Sequence, residues 1–327
     1  MTPPAVGPNA TLAPMNGQGE VPKRHSFWFW LALAGGGFLV LAVLLWSAAL
    51  ATLRSSGGGS GFDQLAGGSI GVIDIDGVIL SADTIDNQLE RFGRNSSVKA
   101  IILHIDSPGG GAAASQEIYH EVLRVRKTYK KRVVVSVESV GASGAYYIAS
   151  ASDRIYANQA SIVGSIGVIM EWINYGGLMK WAKLENITIK AGSLKDAGSP
   201  TRPLTPEERS YFQGLTDNMH MQFIHDVASG RRMPEATVAA LATGQVWTGD
   251  QALPLHLIDQ TGGFRVALLD TARAVGIHGE PRIVRPPQHR ESLLDALVGA
   301  SSKIQVPGPE AVSSMLQKSP NFYFLWQ

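Results

Sequence analysis

Two apolar, β-branched runs lie in the middle of the chain, Ala100-Ile101-Ile102-Leu103-His104-Ile105 and Val133-Val134-Val135-Ser136-Val137. Strands that read as near-continuous apolar runs are buried on both faces, the environment of a parallel sheet covered by helices. Between them, residues 112–129 carry Ile118, Val122 and Val125 at helical spacing. Strand, helix and strand in this order argue for an α/β domain with largely parallel pairing.

The alternation extends in both directions. Residues 70–80 are β-branched and apolar, with Asp76-Gly77 as a turn, and 85–92 have helical spacing. Segments 154–157 and 187–190 read as further short strands. Thr205-Pro206-Glu207-Glu208 sets a capping threonine before a proline and opens a long helix over 206–231. Shorter helices are expected over 234–241, 249–255 and 263–275. After Pro286-Pro287 the periodicity fades, and 287–327 read as a peripheral tail.

Residues 27–53 are uncharged and overwhelmingly apolar, bounded by Lys23-Arg24-His25 and by Arg54. About 20 apolar residues cross a bilayer as a helix, so one N-terminal transmembrane helix is expected here. Trp28, Trp30 and Trp46 suit the two interfaces. Ala49-Leu50-Ala51 could serve as a leader cleavage site, but the run exceeds the roughly 7–15 apolar residues of a signal peptide. An uncleaved anchor is therefore expected. Lys23 and Arg24 before the run against Arg54 after it weakly favour the N-terminus inside and the bulk of the chain outside. Residues 1–26 then form a cytoplasmic tail, Gly- and Ser-rich 54–68 a flexible linker, and 69–286 the principal domain.

A net charge of +1 is no nucleic-acid footprint. The absence of cysteine excludes disulfides and thiolate metal sites. His220 and His225 diverge by about 140° on a helix, so they do not form the i, i+4 metal pair. No metal and no cofactor is expected.

Three segments carry candidate chemistry. In Gly141-Ala142-Ser143-Gly144-Ala145-Tyr146-Tyr147 a serine stands where an apolar strand runs into a helix. Ser143 there is either a nucleophile or an ordinary helix cap. Gly109-Gly110-Gly111 follows a buried strand and offers N–H groups to an oxyanion, or is a plain turn. No Gly-Lys-Ser/Thr follows, which excludes a phosphate-binding loop. Lys195, in Ala191-Gly192-Ser193-Leu194-Lys195-Asp196, is either a surface lysine or a general base. A lysine is a base only when neutral, which burial or a nearby cation brings about. Asp196 is accordingly expected to face away from it. His104, two residues from Asp106 on one strand face, is the rival base.

Four motifs in order, Ser107-Pro108-Gly109-Gly110-Gly111, Ala142-Ser143-Gly144-Ala145-Tyr146-Tyr147, Val163-Gly164-Ser165-Ile166-Gly167-Val168 and Ser193-Leu194-Lys195-Asp196, resemble the signal peptide peptidase A family. The likeness covers roughly residues 69–285, with Ala145 in place of a commoner glycine. It implies the Clp protease/crotonase-like fold of repeated ββα units and a bacterial, single-pass inner-membrane serine endopeptidase facing the extracytoplasmic side. It also implies Ser143 as nucleophile, Lys195 as base, Gly110 and Gly144 as oxyanion donors, and Ser165 as the residue orienting the lysine. Signal peptides and other extended apolar peptides are the implied substrates, paired through the Gly109–Gly111 edge. The implied assembly is a homo-oligomeric ring, an octamer, with the dyad completed between protomers. A non-proteolytic peptide-binding scaffold of the same fold is the alternative. A crotonase-type acyl-CoA enzyme is a third reading, disfavoured by an external domain.

Overall fold

The computed structural model describes residues 68–286 and the backbone of 322–325. The expected cytoplasmic tail, transmembrane helix and most of the linker lie outside the described residues, as does most of 287–327. Among the described residues no helix is long and apolar enough to cross a membrane.

In chain order the elements are β1 (Ser69–Asp76), α1 (Asp83–Arg94), β2 (Val98–Ser107), β3 (Gly109–Gly111), α2 (Ala112–Thr128), β4 (Arg132–Ala142) and α3 (Gly144–Ser150). There follow β5 (Arg154–Ala157), β6 (Ile162–Gly164), β7 (Ile169–Met170), α4 (Gly176–Trp181), α5 (Pro206–Arg231) and α6 (Glu235–Leu241). The remainder are β8 (Val246–Thr248), α7 (Gly249–Ala252), β9 (Gln260–Thr261), α8 (Phe264–Ala274), β10 (Arg282–Val284) and β11 (Phe322–Leu325).

The central sheet runs β10-β1-β2-β4-β5-β9, all parallel. Its strands alternate between two cores, as period-2 geometry demands. Ile73, Ile75, Ile101, Leu103 and Ile105 join the large core under α2, α3 and α5. Ile70, Val72, Ala100 and Ile102 pack with Leu268 and Ala272 of α8 on the opposite face. Burying each such side chain contributes about 1.5–3 kcal/mol, so both faces hold the sheet rigid. β6 branches from the end of β4 and carries β8 antiparallel.

A second, three-stranded sheet has the order β3-β11-β7, with both pairings antiparallel. Part of the supposed peripheral tail is therefore a strand, between an edge of glycines and Ile169–Met170. Segment 187–190 forms no strand. Ile187 and Ile189 are 81% and 97% exposed, and β-branched residues make a strand only where a neighbouring edge exists to pair with.

Candidate active site

The end of β4 delivers Ser143 into α3 at φ 53°, ψ −119°. Backbone strain of this kind is unusual for a residue with a side chain and persists only where the surroundings enforce it. Here the Ser143 N–H donates to the Gly164 carbonyl at 2.7 Å, and its own carbonyl accepts from Tyr147 N–H at 2.8 Å. Every residue of α3 is buried, and Tyr146 O–H donates to the Leu257 carbonyl at 2.8 Å. Tyr147 O–H donates to Asp226 and accepts from Gln116. Burial raises the pKa of both phenols, so they hold α3 as neutral donors.

Ser143 is 1% exposed, its side chain caps nothing, and its Oγ has no hydrogen-bond partner among the described residues. The helix-cap reading is thereby excluded. An orphaned buried hydroxyl carries a desolvation cost of about 1–3 kcal/mol, which Ser143 shares with Ser136 and Thr271 among the described residues.

Gly109–Gly111 is clamped along one side. Ile79 N–H donates to the Gly109 carbonyl at 2.9 Å, and Gly111 N–H to the Ile79 carbonyl at 2.8 Å. The Gly109 N–H goes to Ser107 Oγ at 3.1 Å. Strand alternation then aims the Gly110 N–H at the opposite side, along which β11 lies. A Cβ at Gly110 would stand 2.0 Å from the Ile79 oxygen, so no side chain fits there.

β6 lies beside the end of β4, with Ala142 opposite Gly164. Ser165 thus follows the same register as Ser143 and shares its φ of 53°. It is 6% exposed, and its N–H donates to the Gln245 carbonyl at 2.8 Å. Ser165 lines a cavity of about 470 Å³ with Val168, Ile169, Asp217, His220 and Thr243. This space beside Ser165 was not foreseen, since its walls come from segments far apart in the chain.

Lys195 is not brought to Ser143. It lies exposed in the loop after α4, and its amine makes no hydrogen bond or ion pair among the described residues. Asp196 does turn elsewhere: its carboxylate pairs with Lys190 and with Arg202, the latter at 2.9 Å. Arg202 also grips Glu208 at 2.5 Å. Hydrogen bonds from Lys190 and Arg202 hold the Asp196 pKa down at about 2, and Arg202 does the same to Glu208. This network pins the Lys195 loop to the start of α5, where Thr205 and Glu208 form a capping box. The arm bearing the loop exposes Ile173, Leu178, Trp181, Leu184, Ile187 and Ile189.

His104 is held elsewhere, with Nδ1 at 3.4 Å from Asp74, Nε2 at 3.7 Å from Glu138 and its ring on Phe264. Asp106 instead accepts from Val140 N–H at 3.0 Å.

The profile of peptidase family S49 matches residues 125–278. A candidate protease of Synechocystis is 36% identical over 206 residues, which is 63% of this chain and 74% of the relative. A candidate protease of Methanocaldococcus jannaschii is 39% identical over 61% of this chain and 63% of its own length. A candidate signal peptide peptidase SppA of Enterococcus faecium is 36% identical over 54% of this chain and 51% of its own. The chain thus spans between half and two thirds of the last two relatives. Extensive identity to these proteins, with the family's motifs in their order around a buried serine, shows that the chain belongs to the SppA-type peptidases of family S49.

Proposed function

We propose that the chain is a membrane-anchored serine endopeptidase in which Ser143 is the nucleophile and Lys195 of a neighbouring copy is the general base. The observation that carries this reading is the buried, unpartnered Ser143 hydroxyl, held at a strained turn near a glycine edge able to pair with an extended strand. Ser143 Oγ adds to the substrate carbonyl carbon while its proton passes to the neutral Lys195 amine. Gly110 and Gly144 N–H groups stabilise the oxyanion. The tetrahedral species collapses, the C–N bond breaks, and Lys195 returns the proton to the leaving amine. Water, deprotonated in turn by Lys195, then releases the acyl group and restores Ser143. Ser165, beside the nucleophile, holds the incoming amine.

An exposed Lys195 on an apolar arm supports completion of the site between copies. Covering Ile173, Trp181 and Ile189 with a neighbour removes apolar area from water and dries the lysine's surroundings, which favours the neutral amine. The same contact repeated head-to-tail closes a ring, an octamer by family resemblance. β11 between β3 and β7 supports recognition of extended peptides by main-chain pairing. Signal peptides and other apolar peptides fit such a groove. The Clp protease/crotonase-like fold is supported by β2-β3-α2, a long strand, a short strand turned off the sheet, and a helix. The apolar run 27–53 and its flanking charges support a single-pass inner-membrane protein with this domain outside.

Co-expression of Ser143→Ala with Lys195→Ala tests the reading. Each variant alone is expected to be inactive. If the dyad forms between copies, random mixing in a ring restores roughly one quarter of the sites. Activity in either single variant would sink the dyad, and a mixture without activity would place both groups in one copy. Labelling of Ser143 by a serine-directed phosphonate excludes the non-proteolytic scaffold.

A further inference from the structure

The central sheet separates charge along its strands. Three of its parallel strands begin on a basic residue, Arg282 in β10, Arg132 in β4 and Arg154 in β5, and Lys99 is the second residue of β2. Towards the other side lie Asp76 at the end of β1, Asp106 near the end of β2 and Glu138 within β4, while Arg285, which follows β10, is paired with Asp74. Register places the basic residues along one edge, with Ser69 opposite both Arg282 and Val98, Ala100 opposite Arg132, and Val134 opposite Arg154.

The last turn of α2 adds Lys127 to this edge, and the segment between α2 and β4 adds Lys130 and Lys131. Lys127, Lys130, Lys131 and Arg132 line an open depression of about 600 Å³. The acids nearby are already engaged, Asp153 by Arg126 and Asp259 by Arg231. Lys131 donates to the Asn95 and Val98 carbonyls. Burial, and then the charge of Lys99, lower its pKa. Lys99, Lys127, Lys130 and Arg132 have no ion pair among the described residues, and the three lysines are exposed. Helix dipoles favour cations at helix C-termini, which accounts for Lys127. They do not account for basic residues at the starts of strands.

The chain from residues 27–53 reaches the domain on this same edge, through Gly68 and Ser69, and the Lys99 stem lies against Gly68. A net charge of only +1 makes the asymmetry one of placement rather than excess. We propose that this N-terminal edge of the sheet docks on anionic phospholipid headgroups. Charge complementarity and the side on which the apolar run is tethered select a lipid surface as the occupant. The strands then lead away from the bilayer, and β4 sets Ser143 roughly 35 Å from the headgroups at 3.3 Å per residue. Each lysine near such a surface shifts the docked-to-free ratio about fivefold.

Because the full chain has no cysteine, single Thr128→Cys and Glu138→Cys variants can carry a fluorophore beside the basic edge and further along β4, away from it. Each is reconstituted in vesicles containing an acceptor-labelled lipid, either pure phosphatidylcholine or with about one third phosphatidylglycerol. Energy transfer from position 128 is expected to rise with phosphatidylglycerol and fall in high salt, while position 138 stays low in both. Joint Lys99→Gln, Lys127→Gln and Lys130→Gln replacement, at exposed sites that leave folding untouched, lowers the docked-to-free ratio roughly a hundredfold. The corresponding Lys→Arg set retains docking. Transfer that ignores phosphatidylglycerol overturns the proposal, whether or not an oligonucleotide binds this edge, as does indifference to the glutamine set. Flotation with neutral vesicles reports segment 27–53 separately. If flotation fails there, flotation that depends on phosphatidylglycerol reports the edge directly.

Discussion

Ser143 and Ser165 stand side by side at the ends of adjacent parallel strands, each one residue beyond the paired Ala142 and Gly164, and each at φ 53°. A carbonyl from one strand fastens the other, since Gly164 accepts the Ser143 N–H. Two strained serines in one register form a rigid corner. The Ser143 hydroxyl has no partner among the described residues, and Ser165 lines the adjoining cavity.

Strain at Ser143 predicts a trade between stability and activity. Ser143→Gly is expected to be about 1 kcal/mol more stable than Ser143→Ala, because glycine adopts positive φ without penalty. Thermal unfolding should show a midpoint about 2–4 °C higher for the glycine variant. Both should lack peptide cleavage and phosphonate labelling. Equal midpoints would show that the turn is unstrained.

Gly110→Ala sets a methyl against the Ile79 carbonyl. Overpacking of this kind costs about 1–3 kcal/mol, and it displaces the N–H assigned to the oxyanion. The expected result is a folded, less stable protein with kcat lowered at least a hundredfold, measured on a small ester and on a peptide. Unchanged kcat would remove Gly110 from the oxyanion hole.

Acid should loosen the Lys195 loop before it unfolds the core. Asp196 and Glu208 have pKa values lowered to about 2 by their basic partners, against about 4 for free carboxylates. Groups lowered in this way contribute stability fully above about pH 4, and that contribution fades as pH falls towards 2. Hydrogen exchange in residues 190–202 is expected to rise across that interval while β2 and β4 remain protected. Arg202→Gln should produce the same loosening at neutral pH and lower cleavage about tenfold, with Ser143 still labelled by phosphonate. Unaltered exchange would disprove the anchoring role of Arg202.

β11 lies where an extended substrate is proposed to pair, so it should compete with one. Phe324→Pro removes a backbone donor opposite Gly110 and disfavours the strand. The expected outcome is a several-fold lower KM for an added apolar peptide with kcat unchanged. A KM equal to that of the unaltered chain would mean that β11 does not occupy the substrate's path.

Much of the framework was legible because it depends on local repetition. The runs 100–105 and 133–137, the capping threonine before Pro206, and the glycines around Ser143 specify strand, helix and turn through period, cap and steric allowance. Segment 187–190 misled for the same reason: its β-branched residues match a strand, but pairing requires an edge that the described residues do not offer it. The strand at 322–325 was hidden because its partners, Gly109–Gly111 and Ile169–Met170, are far away in sequence.

From residue order alone came the α/β class, the apolar run at 27–53, and Ser143 and Lys195 as the residues to watch. Tertiary structure decided that the Ser143 hydroxyl is buried without a partner among the described residues, that Ser165 stands beside it, and that Lys195 is exposed with no hydrogen bond to Ser143. Local patterns record the conformations a segment prefers. Burial, partnership and distance arise only when segments remote in the chain are packed together.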